Sequence, residues 1–315
     1  MSSSAAPAPS ARQGARGGSL ALQRRRAGIL MLIPAVLSLV VVLGLPIIAS
    51  LALSLKQPTT DGGLFSGPWV GFANFRAVFS DPLLRTALWN TAYFTVIEVV
   101  VVIVAAIAIA QLLSHRLARS AFFKVVLLVP WALSSVANAT MWKWIYNANY
   151  GVLNTILKQT HVRNDNVIWL GSARMALNAL LFADIWKSIP FITLLMIAGL
   201  QNIPSPLYRA ARIDGANAWQ RFRYVTLPQL RPTLLICVVL QTIWALKVFD
   251  LIYILTMGGP ADGTVTLNFL AYRTTFAYGD IGRGSAIADV LFFIMLIFAF
   301  VYIRTFRPTA GASQK

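Results

Sequence analysis

Long apolar runs recur along the chain, separated by short polar segments rich in Gly, Pro and Arg. Six of them, 27–55, 88–113, 122–146, 176–200, 233–257 and 286–303, approach the roughly twenty residues that a helix needs to cross a ~30 Å hydrocarbon core. The third and fourth are the least apolar, because polar residues and Pro130 or Pro190 interrupt them. Such interruptions are tolerated where neighbouring helices or a water-filled cavity satisfy the freed backbone groups, so these two runs are expected to line a path. The predicted fold class is an all-α integral membrane protein with six transmembrane helices over 27–304. Residues 1–26 read as a disordered basic tail and 305–315 as a second short tail. The run after Arg24-Arg25-Arg26 is too long for a signal-peptide core and lacks a cleavage site, so it reads as a retained first span.

The segment 204–232, between the fourth and fifth runs, is structured but not apolar. Ser205 can N-cap a short helix with Pro206 at its first position, where a missing N–H costs nothing. Asp214-Gly215 stops that helix, because Gly accepts the left-handed conformation of a helix end. Asn217 and Gln220 have capping-box spacing for a second short helix, which Pro228 is expected to end. Ala210, Ala211, Gly215 and Ala216 give the corner a small-residue face, and Arg209, Arg212, Arg221, Arg223 and Arg231 make it basic. A basic, small-faced loop between spans is expected to dock another protein.

This loop resembles the E-A-A-x-x-x-G signature of permease subunits of bacterial ABC importers, and most closely the sugar-importer branch. Ala210, Ala211, Asp214, Gly215, Ala216, Phe222, Leu227 and Pro228 sit where that pattern places them. Arg209 departs from it, standing at the usual Glu position. Trp186, Pro190-Phe191 and Gly258-Gly259-Pro260 extend the resemblance over most of the chain. It implies a cytoplasmic coupling-helix loop between helices 4 and 5 and a multi-pass protein of the bacterial inner membrane with both termini in the cytoplasm. The implied partners are a second, homologous permease subunit, a dimeric cytoplasmic ATPase that binds the ATP, and an extracytoplasmic sugar-binding protein. No cofactor is implied for this chain itself.

Composition points the same way. The chain is 57% hydrophobic and 12% charged, with a mean hydropathy of +0.68, too apolar for a soluble domain of this length. A net charge of +17 could suggest nucleic acid, but the segments assigned to the inner side carry about twice as many basic residues as those outside. The charge therefore reflects topology, with attraction to anionic lipid as a second effect. The single cysteine, Cys237, lies within a span and reads as a small core residue. The chain has no phosphate-binding G-x-x-x-x-G-K-[ST] and no H-E-x-x-H, and its two histidines, His115 and His161, fall on opposite sides of the membrane. The two histidines therefore cannot share a metal or a catalytic site, and neither an enzyme nor a metal site is expected.

Charges within spans are costly and mark function by default. Asp184 with Lys187, and Lys247 with Asp250, have i,i+3 spacing, so each pair is expected to neutralise itself on one helix face, either holding helices together or lining the pathway. Glu98 and Asp289, nearer span ends, are expected to reach interfacial water. On the fifth span Gln241, Trp244, Ala245 and Val248 form one face, and on the fourth Ser188 and Phe191 lie one turn from Trp186 and Lys187. An aromatic face beside amides and hydroxyls suits a sugar ring. In the maltose-type importers that the chain resembles, the corresponding parts of these helices line the sugar site. The expected function is a permease subunit importing a di- or oligosaccharide. The alternatives are an ion-coupled secondary transporter of a small polar solute and a membrane scaffold that transports nothing.

Overall fold

The computed structural model describes residues 28, 30–58, 63, 65–114 and 121–305, and its regular structure is helical, with no strand among the described residues. The expected tails, 1–26 and 305–315, lie outside this set save for Thr305. Five helices among the described residues are long and apolar enough to cross a membrane. The chain divides into two compact units, residues 1–52 and 53–315. The first holds most of α1 (Leu30–Ser54), whose apolar side chains are exposed as far as Ile48 and which widens into a π turn at Val40–Gly44.

In the second unit α2 (Ala73–Ser80) leads into α3 (Pro82–Ser114), which packs extensively along α7 (Ala173–Gln201). The third expected span is two helices, α4 (Ala121–Ala132) and α5 (Ser135–Ile145). Pro130 lacks the N–H that would continue the ladder, and Ser134, in an extended conformation, starts a new helix by accepting from the Ala137 N–H at 3.1 Å. A short helix, α6 (Val152–Gln159), lies between α5 and α7. Buried Asn154 fixes it by using its whole amide. Its Nδ2 donates to the Ala148 and Val167 carbonyls, and its Oδ1 accepts from the Val167 N–H and Trp169 Nε1.

The 204–232 segment contains α8 (Ser205–Ile213) and α9 (Ala218–Arg221). Pro204 occupies the N-cap position and Ser205 begins the helix, so the start lies one residue earlier than expected. Pro228 does not end the second helix. From α9 the chain winds through a π turn, Phe222–Thr226, directly into α10 (Leu227–Leu246). In that turn the Leu227 N–H bonds the Phe222 carbonyl five residues back, so Pro228 falls where the register changes and its missing donor is tolerated. The fifth expected span is interrupted instead at 247–249, before α11 (Asp250–Leu255). It is followed by α12 (Leu267–Tyr272) and the last long helix, α13 (Ile281–Thr305), after a segment with a cis Gly259–Pro260 bond.

Gly199 sets the approach of α7 to α10. A Cβ there would sit 2.6 Å from Thr233 Oγ1 and 2.9 Å from Leu230 Cδ2. Gly199→Ala is therefore expected to destabilise the protein by about 1–3 kcal/mol, the usual cost of overpacking a close contact. A lowered unfolding temperature in detergent is the measurement, and an unchanged one would show that the two helices part freely.

Candidate functional site

The two interrupted helices meet, since α11 packs on α5, and their breaks open onto one cavity of about 470 Å³. Broken helices at membrane depth leave backbone groups that must be satisfied, which is why such breaks occur against protein or water-filled space. Asn268 satisfies one of them here, donating from Nδ2 to the Lys247 carbonyl at 2.9 Å. Asp250 sits in the first turn of α11, where a carboxylate suits the helix N-terminus.

One wall of the cavity is aromatic. Trp131, at the end of α4, stacks on Phe191 with ring centroids 4.7 Å apart, and Phe191 meets Trp244 at 5.4 Å. Both tryptophans line the cavity, and Trp244 keeps 38% of its surface exposed. The other walls are polar. Lys187 on α7 reaches across to donate to Ser135 Oγ on α5 at 2.9 Å. Asn138, also in the wall, is buried with its Oδ1 unpartnered. An aromatic face opposed to free amide, hydroxyl and charged groups can hold a polyhydroxylated ring: the indole covers C–H edges while the polar groups bond the hydroxyls.

The structure separates the predicted pathway residues. Ser188, Trp244 and Val248 line the cavity; Phe191 stands behind its wall between the two tryptophans; Gln241 and Ala245 are buried away from it. Asp184, Lys187, Lys247 and Asp250 all line it, but not as self-neutralising pairs. Among the described residues the ion pairs are Arg273–Asp262 and Arg283–Asp280. Lys247 and Asp250 flank the break, so their spacing no longer puts them on one helix face, and Lys187 is engaged with Ser135. Glu98 and Asp289 do not reach interfacial water: both are buried, Glu98 midway along α3. Trp131 and Ser135 were missed, although Pro130-Trp131 followed by Ser134-Ser135 in an apolar run was a signal for a capped break. No His/Cys/Asp/Glu cluster among the described residues could hold a metal.

The loop forms a second candidate surface. Gly215 adopts φ +76°, and a Cβ added to it would meet no atom of this chain within 4 Å. The capping box is formed, with Asn217 Oδ1 accepting from the Gln220 N–H and Gln220 Oε1 from the Asn217 N–H, both at 2.8 Å. The Tyr208 and Thr226 hydroxyls bond at 2.9 Å, and Arg221 donates to the Ala216 carbonyl at 2.8 Å, so the corner is held at several points. Asp214 caps α8 through its backbone. Phe222 packs against Trp219, and Ala211 and Ala216 are half-buried. Arg209 and Ala210 are exposed beside Ile213, which leaves 85% of its surface open, and Trp219 and Tyr224 are exposed as well. Exposed apolar side chains interspersed with arginines in one loop have the character of a docking surface.

Residues 102–306 match the model of the family described as binding-protein-dependent transport system inner membrane component. The trehalose/maltose transport system permease protein MalF of Thermococcus litoralis is 37% identical over 288 residues, covering 91% of this chain and 96% of that protein. The sulfoquinovosyl glycerol transport system permease protein SmoG of Agrobacterium fabrum is 33% identical over 91% of this chain and 92% of its own length. The trehalose transport system permease protein SugA of Mycobacterium tuberculosis is 30% identical over 95% and 94%. Among solved structures, a chain of a bacterial ABC transporter involved in the import of the acidic polysaccharide alginate superposes with a TM-score of 0.76 at 21% identity, over 92% of this chain and 98% of that one.

Proposed function

Because this chain belongs to the binding-protein-dependent transport system inner membrane component family and is a sugar ABC transporter permease, we propose that it translocates a di- or oligosaccharide delivered by an extracytoplasmic binding protein and driven by a separate ATPase. The observation that carries this reading is the cavity, where Trp131 and Trp244 face polar side chains at the breaks of two helices. Family membership displaces the ion-coupled, scaffold and enzyme readings. The names of the relatives, which include trehalose, maltose and a sulfoquinovosyl glycoside carriers, support a glycoside of this size.

In this reading α4 and α5 together make the third of six spans in the inner membrane, with both termini cytoplasmic. The 204–232 loop couples to a dimeric ATPase that binds ATP, and a second, homologous permease subunit completes the path. This chain holds no cofactor of its own. The coupling surface comprises Arg209, Ala210, Ala211, Asp214, Gly215, Ala216, Phe222 and Pro228, and lipid covers the remaining apolar faces.

The test is uptake in vesicles that contain the purified complex, with radiolabelled trehalose, maltose and longer glucans each presented on the cognate binding protein. Accumulation that needs both ATP and the binding protein supports the proposal. Accumulation in the absence of the ATPase, or none for any glycoside, overturns it.

A further inference from the structure

Nothing in the sequence from Trp244 to Leu251 stops a helix, since the stretch holds neither Gly nor Pro. The chain nonetheless leaves α10 at Leu246 and starts again at Asp250. In an unbroken helix the Lys247 carbonyl would accept from the Leu251 N–H four residues on. That bond is absent, and the carbonyl accepts from Asn268 Nδ2 of α12 at 2.9 Å instead. α12 also holds the break at a second point. Phe249, which precedes α11, packs against Phe269 and Tyr272 with ring centroids 6.2 and 4.9 Å apart.

α12 is itself fixed to α3. Asn90 of α3 is buried, and its Nδ2 donates to the Gly263 and Val265 carbonyls, both at 3.0 Å. Thr91 Oγ1 accepts from the Leu267 N–H at 2.9 Å, which supplies from another helix the cap that the Thr266 side chain does not give. Residues 264–267 are fully buried at this contact. A helix of six residues has little stability of its own, so it is this anchor that lets α12 present Asn268 at a fixed place. The break is thus imposed on α10 and α11 by α3 and α12, not by the residues within it.

We propose that Asn268 is a positioning residue for sugar passage: its amide keeps the Lys247 carbonyl out of helical pairing and so holds the 247–249 break open on the cavity. Without it α10 and α11 wind into one helix. Lys247 and Asp250 then fall on one face at i,i+3 spacing and close on each other, and the cavity loses both as separate polar groups. This rests on the cavity being the sugar path.

The test uses the complete complex carrying Asn268→Leu, Leu251→Pro or both. Leucine keeps the size of asparagine and removes the donor. Proline at 251 falls in the first turn of α11, where the missing N–H serves no helical bond, yet its ring would clash with the Lys247 carbonyl in an unbroken helix. Asn268→Leu is expected to lose about fivefold in maximal uptake rate, the worth of one hydrogen bond, with the half-saturating concentration of loaded binding protein little changed. In the Leu251→Pro background the same substitution is expected to cost no more than about twofold, because the proline then keeps the break.

A second readout does not depend on import. Hydrogen exchange at the amides of 249–252, followed by mass spectrometry, is expected to slow severalfold in Asn268→Leu as they enter a continuous helix, whereas loss of a bond that only braced the fold would speed it. Unchanged or faster exchange, native-like uptake, or an equal loss with and without Leu251→Pro each overturns the proposal. If Asn268→Leu fails to assemble, Asn268→Asp decides. It keeps the shape and lacks the N–H donor, so slowed exchange upholds the positioning role and native or faster exchange rejects it. A native complex that imports no glycoside defeats the transport reading instead, and the exchange measurement then still tests the hold of Asn268 on the break.

Discussion

Gly215→Asp is expected to cut sugar uptake by about thirtyfold while the protein reaches the membrane in native amount. The reasoning turns on what the substitution does not disturb. A Cβ at Gly215 meets nothing in this chain within 4 Å, and the corner is held independently by the capping box and by the Tyr208–Thr226 and Arg221–Ala216 bonds. The cost within the chain is the left-handed backbone alone, about 1–2 kcal/mol for an ordinary residue and less for Asp. The larger effect belongs to the interface. A side chain at a close-packed docking corner costs about 2 kcal/mol or more, the size of a hot-spot loss, and 2 kcal/mol is about thirtyfold. Copurification of the ATPase with native and variant chains is the direct measurement. Gly215→Asn separates bulk from charge, since Asn tolerates the same φ and has nearly the same size. Retained ATPase and normal uptake with Gly215→Asp would remove the loop from the coupling path.

Trp244→Ala is expected to lower the maximal uptake rate by about tenfold, and Trp244→Phe by much less. Trp244 closes an aromatic ladder that runs through Phe191 to Trp131, and its exposed face opens into the cavity. Loss of an aromatic face from a ring contact costs about 1.5 kcal/mol, which corresponds to about tenfold in rate when the contact is made during passage. Removal of the indole also frees one edge of Phe191, so unfolding temperature should be recorded with transport. A fall in uptake at unchanged stability assigns the effect to sugar contact. Native uptake by Trp244→Ala would move the path away from this cavity.

The features that could be read from sequence are those encoded locally. Gly215 stops a helix and Asn217 with Gln220 starts one, because caps and left-handed turns depend on a few adjacent residues. Long apolar runs such as 88–113 were legible for the same reason: twenty successive residues need no tertiary context to declare a span. The break at 133–134 had a local signal in Pro130 and Ser134, whereas that at 247–249 had none. A helix pattern continues through the second, and only the cavity and Asn268, twenty-one positions from Lys247, make it tolerable. Once α10 stops at Leu246, the spacing of Lys247 and Asp250 loses its meaning. The face carrying Gln241, Trp244, Ala245 and Val248 was identified as a face, but periodicity cannot say which edge of it meets open space. Trp244 and Val248 do, whereas Gln241 turns to a glutamate 143 positions away.

The uninterrupted winding from α9 through the π turn into α10 joins the loop mechanically to the cavity. From Ala218 to Trp244 this is one stiff rod of about 40 Å at 1.5 Å per residue, ending beside the break that frees its far end. A tilt of only about 5° at the loop displaces the indole of Trp244 by about 3 Å. That is close to the thickness of an aromatic ring. In the proposed coupling role, a slight rocking of the loop would carry the Trp244 indole across the cavity wall by about one ring thickness, with no bond in between having to break.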